Sequence, residues 1–497
     1  KSTTTGEMKN AMSKSRIKKN TIGVLLVLTA LYLSLIAYFC YAVLFYGSRW
    51  FADSYNTRVK MDEKNPRIIP GNITDRNGVM LAETKSELVK DSSTGKEERY
   101  YFRAYHDKAT SVAHVVGFNH SKYGRSGVEA LYIYYLMGYN NSLIEKIYQK
   151  AFLPQERGND VALTVDFRLQ DYASQLMKKQ GKKGSVVLLN PQTGEILAMV
   201  SYPTFNPNNM DKVDDDSLVN RATQGLYPPG SVFKLVTAAA ALESIENVLE
   251  REFNCTGTAE FNGTKIQCYK GEAHGVLDLA QAMAVSCNTT FAGLGTEIGW
   301  KDLLQTGKKF GFNDDFLFSD IRVKQSSLPI NYRTSKQEMA WTAVGQGKVL
   351  VTPLHMAMIA AAIANDGVMM EPKLLYSVFG RNGNVQKQLE PKVYGKVLDK
   401  ENAEILKSMM AKVVLEGTGK QARSNRITIA GKTGTAEQGS KDQQNKNLAW
   451  FVGFAPSDTP RLAIAVLLED VGQGETGGTQ AAPLARKVFE KAVELGY

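Results

Sequence analysis

The chain has 497 residues, of which 43% are hydrophobic and 22% are charged, and this ordinary globular mixture excludes collagen-like, low-complexity and wholly disordered proteins. The length predicts two domains, or one large domain with accessory parts. Four cysteines are too few for a disulfide scaffold, so a packed core must stabilise the fold. The formal net charge of +10 favours anionic surfaces such as lipid headgroups, cell-wall polymers or nucleic acid, without selecting one.

The segment 21–48 contains no charged residue and is followed by Arg49. About 20 helical residues cross a hydrocarbon core, so this segment predicts a transmembrane helix that anchors the chain in the cell membrane by a single pass. A cleaved signal peptide is the alternative. The apolar run is longer than a signal-peptide core and no A-x-A-like site follows it, which favours a retained anchor.

Basic residues before this helix predict its orientation. Five of them stand against the single Glu7, so the positive-inside rule places residues 1–20 in a cytoplasmic tail and the chain after Arg49 outside the cytoplasm. An extracellular or periplasmic location for most of the chain argues against nucleic-acid binding. These five of the six basic residues in 1–20 are Lys9, Lys14, Arg16, Lys18 and Lys19.

Beyond the predicted anchor, the pattern of the chain changes once. The segment 49–158 is irregular, with a strand and a tight turn predicted within 68–78 and apolar residues at helical spacing over 127–152. The segment 159–497 has the composition of a compact unit of strands and helices. We therefore predict a smaller first domain and a larger second domain.

The larger segment has strands at both ends and helices between them. This order predicts an α+β fold with one mostly antiparallel sheet flanked by helices. The predicted elements are the strands 161–165, 448–454 and 462–468, the hairpin 184–201, a helix over 167–178 with Asp166 as its N-cap, and a closing helix over 481–495.

The first motif with chemical potential is P-P-G-S-V-F-K, residues 228–234, before an alanine-rich run. The run predicts a helix, so Ser231 lies at a helix N-terminus, where the dipole favours developing negative charge. Lys234 lies one turn away on the same face. Its apolar neighbours would lower the pKa of its amine, which could then take the proton of the Ser231 hydroxyl. A plain N-cap role for Ser231 stays open.

The second motif is Ser286-Cys287-Asn288, which follows a helical run. A second serine and an amide side chain can relay protons and hold a substrate carbonyl. As a triplet the motif is weak, because Ser54-Tyr55-Asn56 has the same form. An ordinary turn after a helix is the alternative interpretation.

The third motif is G-K-T-G-T, residues 431–435, after a strand-like segment. It is not a phosphate-binding loop, because Arg426 occupies the position where such a loop needs glycine. We predict instead an edge strand that lines a cleft. In it Lys432 offers positive charge to a carboxylate, the two threonines offer hydroxyls, and Gly434 lets a substrate backbone approach closely.

Together the three motifs resemble those of the penicillin-binding and serine β-lactamase superfamily of acyl-serine transferases. Three further segments are in the style of penicillin-binding proteins: Tyr227-Pro228-Pro229-Gly230, Gly345-Gln346-Gly347 and Trp450-Phe451-Val452-Gly453-Phe454. The stretches 70–78 and 127–129, together with an N-terminal anchor, resemble class B members. The resemblance implies an elongated α+β pedestal over 49–158 and a transpeptidase domain of the penicillin-binding fold over 159–497.

The resemblance also implies an activity and a site. Ser231 would be the nucleophile and Lys234 its general base, with Ser286 and Asn288 assisting proton transfer and substrate binding. The segment Lys432, Thr433, Gly434 and Thr435 would bind the donor, a peptidoglycan stem peptide ending in D-Ala-D-Ala. Crosslinking would proceed through an acyl-enzyme, and β-lactams would acylate the same serine. A SEDS-type membrane glycosyltransferase is the partner that the resemblance implies.

No metal or organic cofactor is expected for this chemistry, and the five histidines show no ligand spacing along the sequence. They are His106, His114, His120, His274 and His355. Cys255 and Cys268 are suitably spaced for a disulfide outside the cytoplasm, with free thiols as the alternative. Cys287 is interpreted as a small buried filler.

Other functions remain as alternatives at this stage. A β-lactamase needs a group that activates water, and no Glu-x-x-Leu-Asn segment follows Ser286. A D,D-carboxypeptidase would use the same residues with water as acceptor. A β-lactam-binding module or scaffold that activates a membrane glycosyltransferase is the alternative from a different class.

Overall fold

The computed structural model describes residues 3–51, 66, 68–90, 97–120, 122–141, 143–152, 155–211, 213–318, 320–437 and 447–497. Helix α1 (Thr3–Phe51) contains the apolar segment Lys18–Val43, whose 26 residues have a mean hydropathy of 2.3. This segment is long and apolar enough to cross a membrane. It overlaps the segment 21–48 for which the sequence predicted a transmembrane helix.

The part after α1 consists of short strands and helices. The helical spacing over 127–152 corresponds to three short helices rather than one, and Gly138, with φ of 64°, lies between the second and the third. The strand predicted within 68–78 is present as two strands of two residues each. The elements are β1 (Ile68–Ile69), β2 (Ile73–Thr74), β3 (Met80–Lys90), β4 (Glu97–Tyr105), α2 (Ala109–Val116), β5 (Asn119–His120), β6 (Gly124–Arg125), α3 (Gly127–Leu131), α4 (Ile133–Leu136), α5 (Leu143–Phe152) and β7 (Glu156–Arg157).

The larger part contains the remaining elements. In chain order they are β8 (Asp160–Leu163), α6 (Phe167–Gln180), β9 (Gly184–Leu189), β10 (Ile196–Tyr202), α7 (Asp215–Leu218), α8 (Lys234–Ser244), β11 (Phe253–Cys255), β12 (Thr258–Phe261), β13 (Thr264–Gln267), β14 (Gly275–Leu277), α9 (Leu279–Ala284), α10 (Asn288–Lys309), α11 (Lys336–Ala343), α12 (Pro353–Ala364), β15 (Val368–Met370), β16 (Leu375–Phe379), β17 (Val385–Gln388), β18 (Val393–Lys396), α13 (Lys400–Leu415), β19 (Ala430–Glu437), β20 (Asn447–Ala455), β21 (Leu462–Val471) and α14 (Ala482–Glu494). Asp166 caps α6 by accepting a hydrogen bond from the Arg168 backbone N–H, as the sequence predicted.

A five-stranded sheet in the order β10-β9-β21-β20-β19 forms the centre of the larger part, and all its pairings are antiparallel. Both faces are buried, because alternate residues of β9 enter two different cores. Val187 and Leu189 pack on the face of α8 and α12, whereas Val186 and Leu188 pack on the face of α6 and α14. Each buried aliphatic side chain contributes about 1.5–3 kcal/mol. The predicted antiparallel sheet with flanking helices is confirmed.

A second sheet crosses the boundary that the sequence suggested at residue 158. Its order is β17-β16-β8-β2-β3-β4, so strands from the larger part pair with strands of the smaller part. Tyr132 and Asp320 add a polar link between the parts. The Tyr132 hydroxyl donates to Asp320 Oδ1 over 2.5 Å, and Leu375 N–H donates to Oδ2 over 2.8 Å. Burial raises the pKa of Asp320 to about 6.

Candidate active site

The segment with Ser231 is a short helical turn, Gly230–Phe233, that leads directly into α8. Ser231 therefore lies at the start of a helical segment, as predicted. The turn packs on β19 because Gly230, with φ of 55°, has no side chain. A Cβ there would lie 2.7 Å from the Thr435 carbonyl oxygen. The Gly230 N–H donates to Gly345 O over 2.9 Å, which fixes the turn from its other side.

Lys234 is the first residue of α8 and is fully buried. Its Nζ donates to Ser286 O and to Asn288 Oδ1, each over 2.7 Å, and lies 3.1 Å from Ser286 Oγ. Burial lowers the pKa of Lys234 to about 7, although nearby thiolate charge at Cys287 and Cys268 opposes this shift. A large fraction of the amine is therefore uncharged near neutral pH.

The Ser286 hydroxyl lies between two lysines. Its Oγ is 3.1 Å from Lys234 Nζ and 2.8 Å from Lys432 Nζ. Ser286 has a φ of 58°, a left-handed backbone conformation that residues other than glycine rarely adopt. Asn288 begins α10 and donates from Nδ2 to Gln267 O over 2.7 Å. The second motif is therefore a strained turn held on both sides, rather than an ordinary turn after a helix.

Lys432 lies on β19, which forms one edge of the five-stranded sheet. Its side chain is fully buried, and Nζ donates to Ser286 Oγ and to Thr433 O. Burial lowers the pKa of Lys432 well below its ordinary value, and the charge of Lys234 lowers it further. An anionic group bound beside Nζ would offset both effects.

Gly434 allows the nucleophile turn to approach β19. A Cβ at this position would lie 3.1 Å from both Pro229 O and Val232 Cγ1 and 3.2 Å from Trp450 Cβ. The sequence interpretation reserved this space for a substrate backbone. In the structure the space is filled by the segment that carries Ser231, so Gly434 is needed for packing of the site itself.

The structure adds Thr418 and Gly477 to the site and gives Trp450, known from the sequence only by resemblance, a contact. Thr418 Oγ1 lies 2.6 Å from Thr433 Oγ1, and the Trp450 indole N–H donates to Pro228 O over 3.0 Å. The Gly477 N–H donates to Thr435 Oγ1 over 3.4 Å. The Gly-Thr-Gly sequence around Thr418 resembles part of a phosphate-binding loop but lacks its first glycine, since Val414 stands at that position, so it did not indicate a role in this site.

The cysteines follow the free-thiol alternative of their sequence interpretation rather than the disulfide. All four are free thiols in the described part of the chain. Cys255 and Cys268 are buried with their Sγ atoms 3.6 Å apart, and Cys268 Sγ is 3.7 Å from Cys287 Sγ. Cys287 is fully buried, as predicted, but belongs to a group that also includes His274.

Comparison with known proteins is consistent with this geometry. The family model for the penicillin binding protein transpeptidase domain matches residues 184–490. The peptidoglycan D,D-transpeptidase PbpA of Mycolicibacterium smegmatis is 31% identical over 466 residues, covering 88% of this chain and 93% of that protein. Stage V sporulation protein D of Bacillus subtilis is 33% identical over 414 residues, covering 78% of this chain and 63% of that protein.

Solved structures give the same result. The ceftriaxone acyl-enzyme complex of penicillin-binding protein A from M. tuberculosis matches with a TM-score of 0.77 and 29% identity, covering 86% of this chain and 98% of that chain. The D,D-transpeptidase domain of a peptidoglycan glycosyltransferase from Eggerthella lenta matches with a TM-score of 0.70 and 34% identity, covering 86% of this chain and 99% of that chain. This chain therefore belongs to the penicillin-binding protein transpeptidase family, in agreement with the class B resemblance of its motifs.

Proposed function

We propose that this protein is a membrane-anchored D,D-transpeptidase that crosslinks peptidoglycan stem peptides through an acyl-enzyme on Ser231. The observation that carries the proposal is the connected group around Ser286. A fully buried Lys234, one turn from Ser231, and a fully buried Lys432 on the facing strand both reach the same hydroxyl. A nucleophile, a base of lowered pKa and a cationic carboxylate-binding group are the components that acyl transfer requires.

In the proposed acylation step, the uncharged Lys234 amine takes the proton of the Ser231 hydroxyl. Ser231 Oγ bonds to the carbonyl carbon of the penultimate D-Ala, and the C–N bond to the terminal D-Ala then breaks. The leaving amine receives the proton from Lys234 through the Ser286 hydroxyl. Backbone N–H groups of Ser231 and Thr435 would stabilise the oxyanion, each contributing roughly 2.7–4 kcal/mol.

Deacylation completes the crosslink. An amine of a neighbouring stem peptide attacks the acyl-enzyme carbonyl, loses a proton to Lys234, and forms the new amide as Ser231 Oγ departs with a proton. A D,D-carboxypeptidase would use water at this step with the same residues. β-Lactams would acylate Ser231 in the same way, with the ring amide bond breaking instead of the bond to D-Ala.

The donor would lie along β19. An edge strand offers unpaired backbone groups to an extended peptide, and the terminal carboxylate would accept hydrogen bonds from Thr433 and Thr435. Lys432 would supply positive charge, which a bound carboxylate stabilises in a site that otherwise disfavours it. This pairing makes donor binding and the charge state of Lys432 depend on each other.

Anchoring through α1 would place this site outside the cytoplasm. The apolar segment Lys18–Val43 supports a single membrane pass, and the basic residues before it support a cytoplasmic N-terminus. A SEDS-type membrane glycosyltransferase is the proposed partner, by resemblance to class B members. A scaffold role that activates such a partner is compatible with the enzymatic role.

The full chain in detergent, incubated with a fluorescent penicillin and then digested, tests the acyl-enzyme. We expect one labelled peptide, modified at Ser231, and a label on any other residue would contradict the site. Crosslinking is tested with polymerised peptidoglycan carrying pentapeptide stems. Crosslinked dimers should exceed stems that have merely lost D-Ala, whereas the reverse product ratio would identify a carboxypeptidase.

Substitution Gly434→Val should slow penicillin acylation about 10- to 100-fold, because the added side chain displaces the turn that carries Ser231. Valine is favoured in strands, so a loss would not reflect backbone preference. Gly395→Val is the matched control, since Gly395 also lies in a strand and a Cβ there meets nothing within 4 Å. Stopped-flow or gel-based acylation rates measure both, and equal rates would contradict the packing role.

A further inference from the structure

Three cysteines and a histidine converge beside the active site. Their ligand atoms all lie within 4.8 Å of one another, and we call this group the cysteine–histidine cluster: Cys255, Cys268, His274 and Cys287. They come from four elements. Cys255 ends β11, Cys268 follows β13, His274 precedes β14, and Cys287 is the N-cap of α10. Four separate elements thus bring their potential ligand atoms to one position.

Three of the six distances between ligand atoms match a tetrahedral metal site, and the others lie within 4.8 Å. Zn–S bonds of about 2.3 Å and Zn–N bonds of about 2.0 Å place two sulfurs about 3.8 Å apart, and sulfur and nitrogen about 3.5 Å apart. The Sγ atoms of Cys255 and Cys268 are 3.6 Å apart, and those of Cys268 and Cys287 are 3.7 Å apart. His274 Nδ1 lies 3.3 Å from Cys255 Sγ.

The surroundings of Cys287 favour its thiolate form. All three cysteines are buried, and His274 is half-buried. Cys287 Sγ accepts hydrogen bonds from the Thr290 hydroxyl over 3.1 Å and from the Thr290 backbone N–H over 3.5 Å, and Thr289 Oγ1 lies 3.2 Å away. Donors directed at a sulfur stabilise its thiolate, and the thiolate is the form that binds a metal. Three thiolates with one imidazole suit zinc among the common biological cations.

The cluster is joined to the active site through its own ligands. Cys287 stands between Ser286 and Asn288 in the second motif. Cys268 directly follows Gln267, whose carbonyl oxygen accepts the hydrogen bond from Asn288 Nδ2 over 2.7 Å. If Cys268 and Cys287 bind the same ion, the ion fixes both Gln267 and Asn288, which make this hydrogen bond. It thereby also fixes the strained turn at Ser286, whose φ is 58°.

We propose that the cysteine–histidine cluster binds one zinc ion, and that the ion holds the turn carrying Ser286 and Asn288 in its active arrangement. The ligands are positioning residues, since none of them contacts the reacting atoms. Metal binding stands independently of the proposed transpeptidase activity, whereas the positioning effect rests on it.

Zinc content of the full chain, purified in detergent under reducing conditions, tests the metal site. We expect about one zinc per chain by inductively coupled plasma mass spectrometry, and loss of the metal in Cys268→Ser. Cys40→Ser is the matched control, because Cys40 is the one exposed cysteine of the described chain and should leave the stoichiometry unchanged. Cobalt substitution of the wild type should give thiolate-to-metal charge-transfer absorption. In His274→Cys this absorption should still be present, but at a shifted wavelength.

Chelation of the wild-type protein tests positioning without any substitution that could prevent folding. Removal of zinc should slow penicillin acylation about 10- to 100-fold, and added zinc should restore the rate. A wild-type chain that carries no zinc, or a Cys255–Cys268 disulfide found by mass spectrometry in place of the metal, would overturn the site. Zinc retained in Cys268→Ser would do the same. An unchanged acylation rate after zinc removal would overturn the positioning effect. If neither the zinc-loaded nor the zinc-free protein reacts with penicillin, the result counts against the proposed function instead.

Discussion

Substitution Ser231→Ala should abolish covalent labelling by penicillin and lower crosslinking by a factor on the order of 10⁶, as removal of a serine nucleophile does in other acyl-transfer enzymes. In the proposed mechanism the Ser231 hydroxyl forms the acyl bond, whereas the Ser286 hydroxyl is held between two amines in a strained turn. Fluorescent labelling and product analysis measure the loss. Labelling that persists in this variant would assign the nucleophile elsewhere.

The control for Ser231→Ala is Ser244→Ala on α8, the helix that follows the Ser231 turn. Ser244 lies at the opposite end of α8, where its hydroxyl donates to Ala240 O over 2.6 Å. Its loss should leave acylation unchanged. Both variants should melt near the wild-type temperature, and both should still activate a glycosyltransferase partner. Loss of activation in a stably folded Ser231→Ala protein would contradict the separation of scaffold and enzyme roles.

The central sheet was predictable because its sequence signals are local. The β9–β10 hairpin and the β20–β21 pair are apolar runs separated by turn residues, and Asp166 caps α6 from the adjacent position. The sheet that joins β8, β2 and β16 was not predictable, because β2 has only two residues and its partners lie far along the chain. Two-residue strands carry no periodicity that a sequence can display.

The candidate site shows the same division. The sequence identified Lys234, Ser286 and Lys432 from short motifs. It did not indicate that the Ser286 hydroxyl contacts both lysine amines, which lie 52 and 146 residues from Ser286 along the chain. That contact depends on packing. The cysteine–histidine cluster was missed for a related reason. Cys255 and Cys268 were interpreted as a possible disulfide, Cys287 as a buried filler and His274 as one of five histidines without ligand spacing. No spacing in the sequence suggested that four elements would bring them together.

Substitution Lys234→Met should slow penicillin acylation by about 10²–10⁴-fold, the usual contribution of a general base. Methionine preserves most of the buried volume but cannot accept a proton. Lys407→Met is the matched control. Lys407 is another buried lysine, lies on α13 and forms ion pairs with Asp366 and Glu404. That variant should lose stability without losing acylation rate. Equal losses of rate in the two variants would indicate a general effect of removing a buried amine.

The pH profile separates the base from its neighbours. Burial lowers the pKa of Lys234 to about 7, and only the uncharged amine can take the Ser231 proton. The acylation rate constant of the wild type should therefore rise about tenfold per pH unit below 7 and level off above it. Lys432, Cys268 and Cys287 also lie near this amine and are unchanged in Lys234→Met. The rise near pH 7 should be absent from the residual rate of the variant, and its persistence would assign the titration to one of those groups.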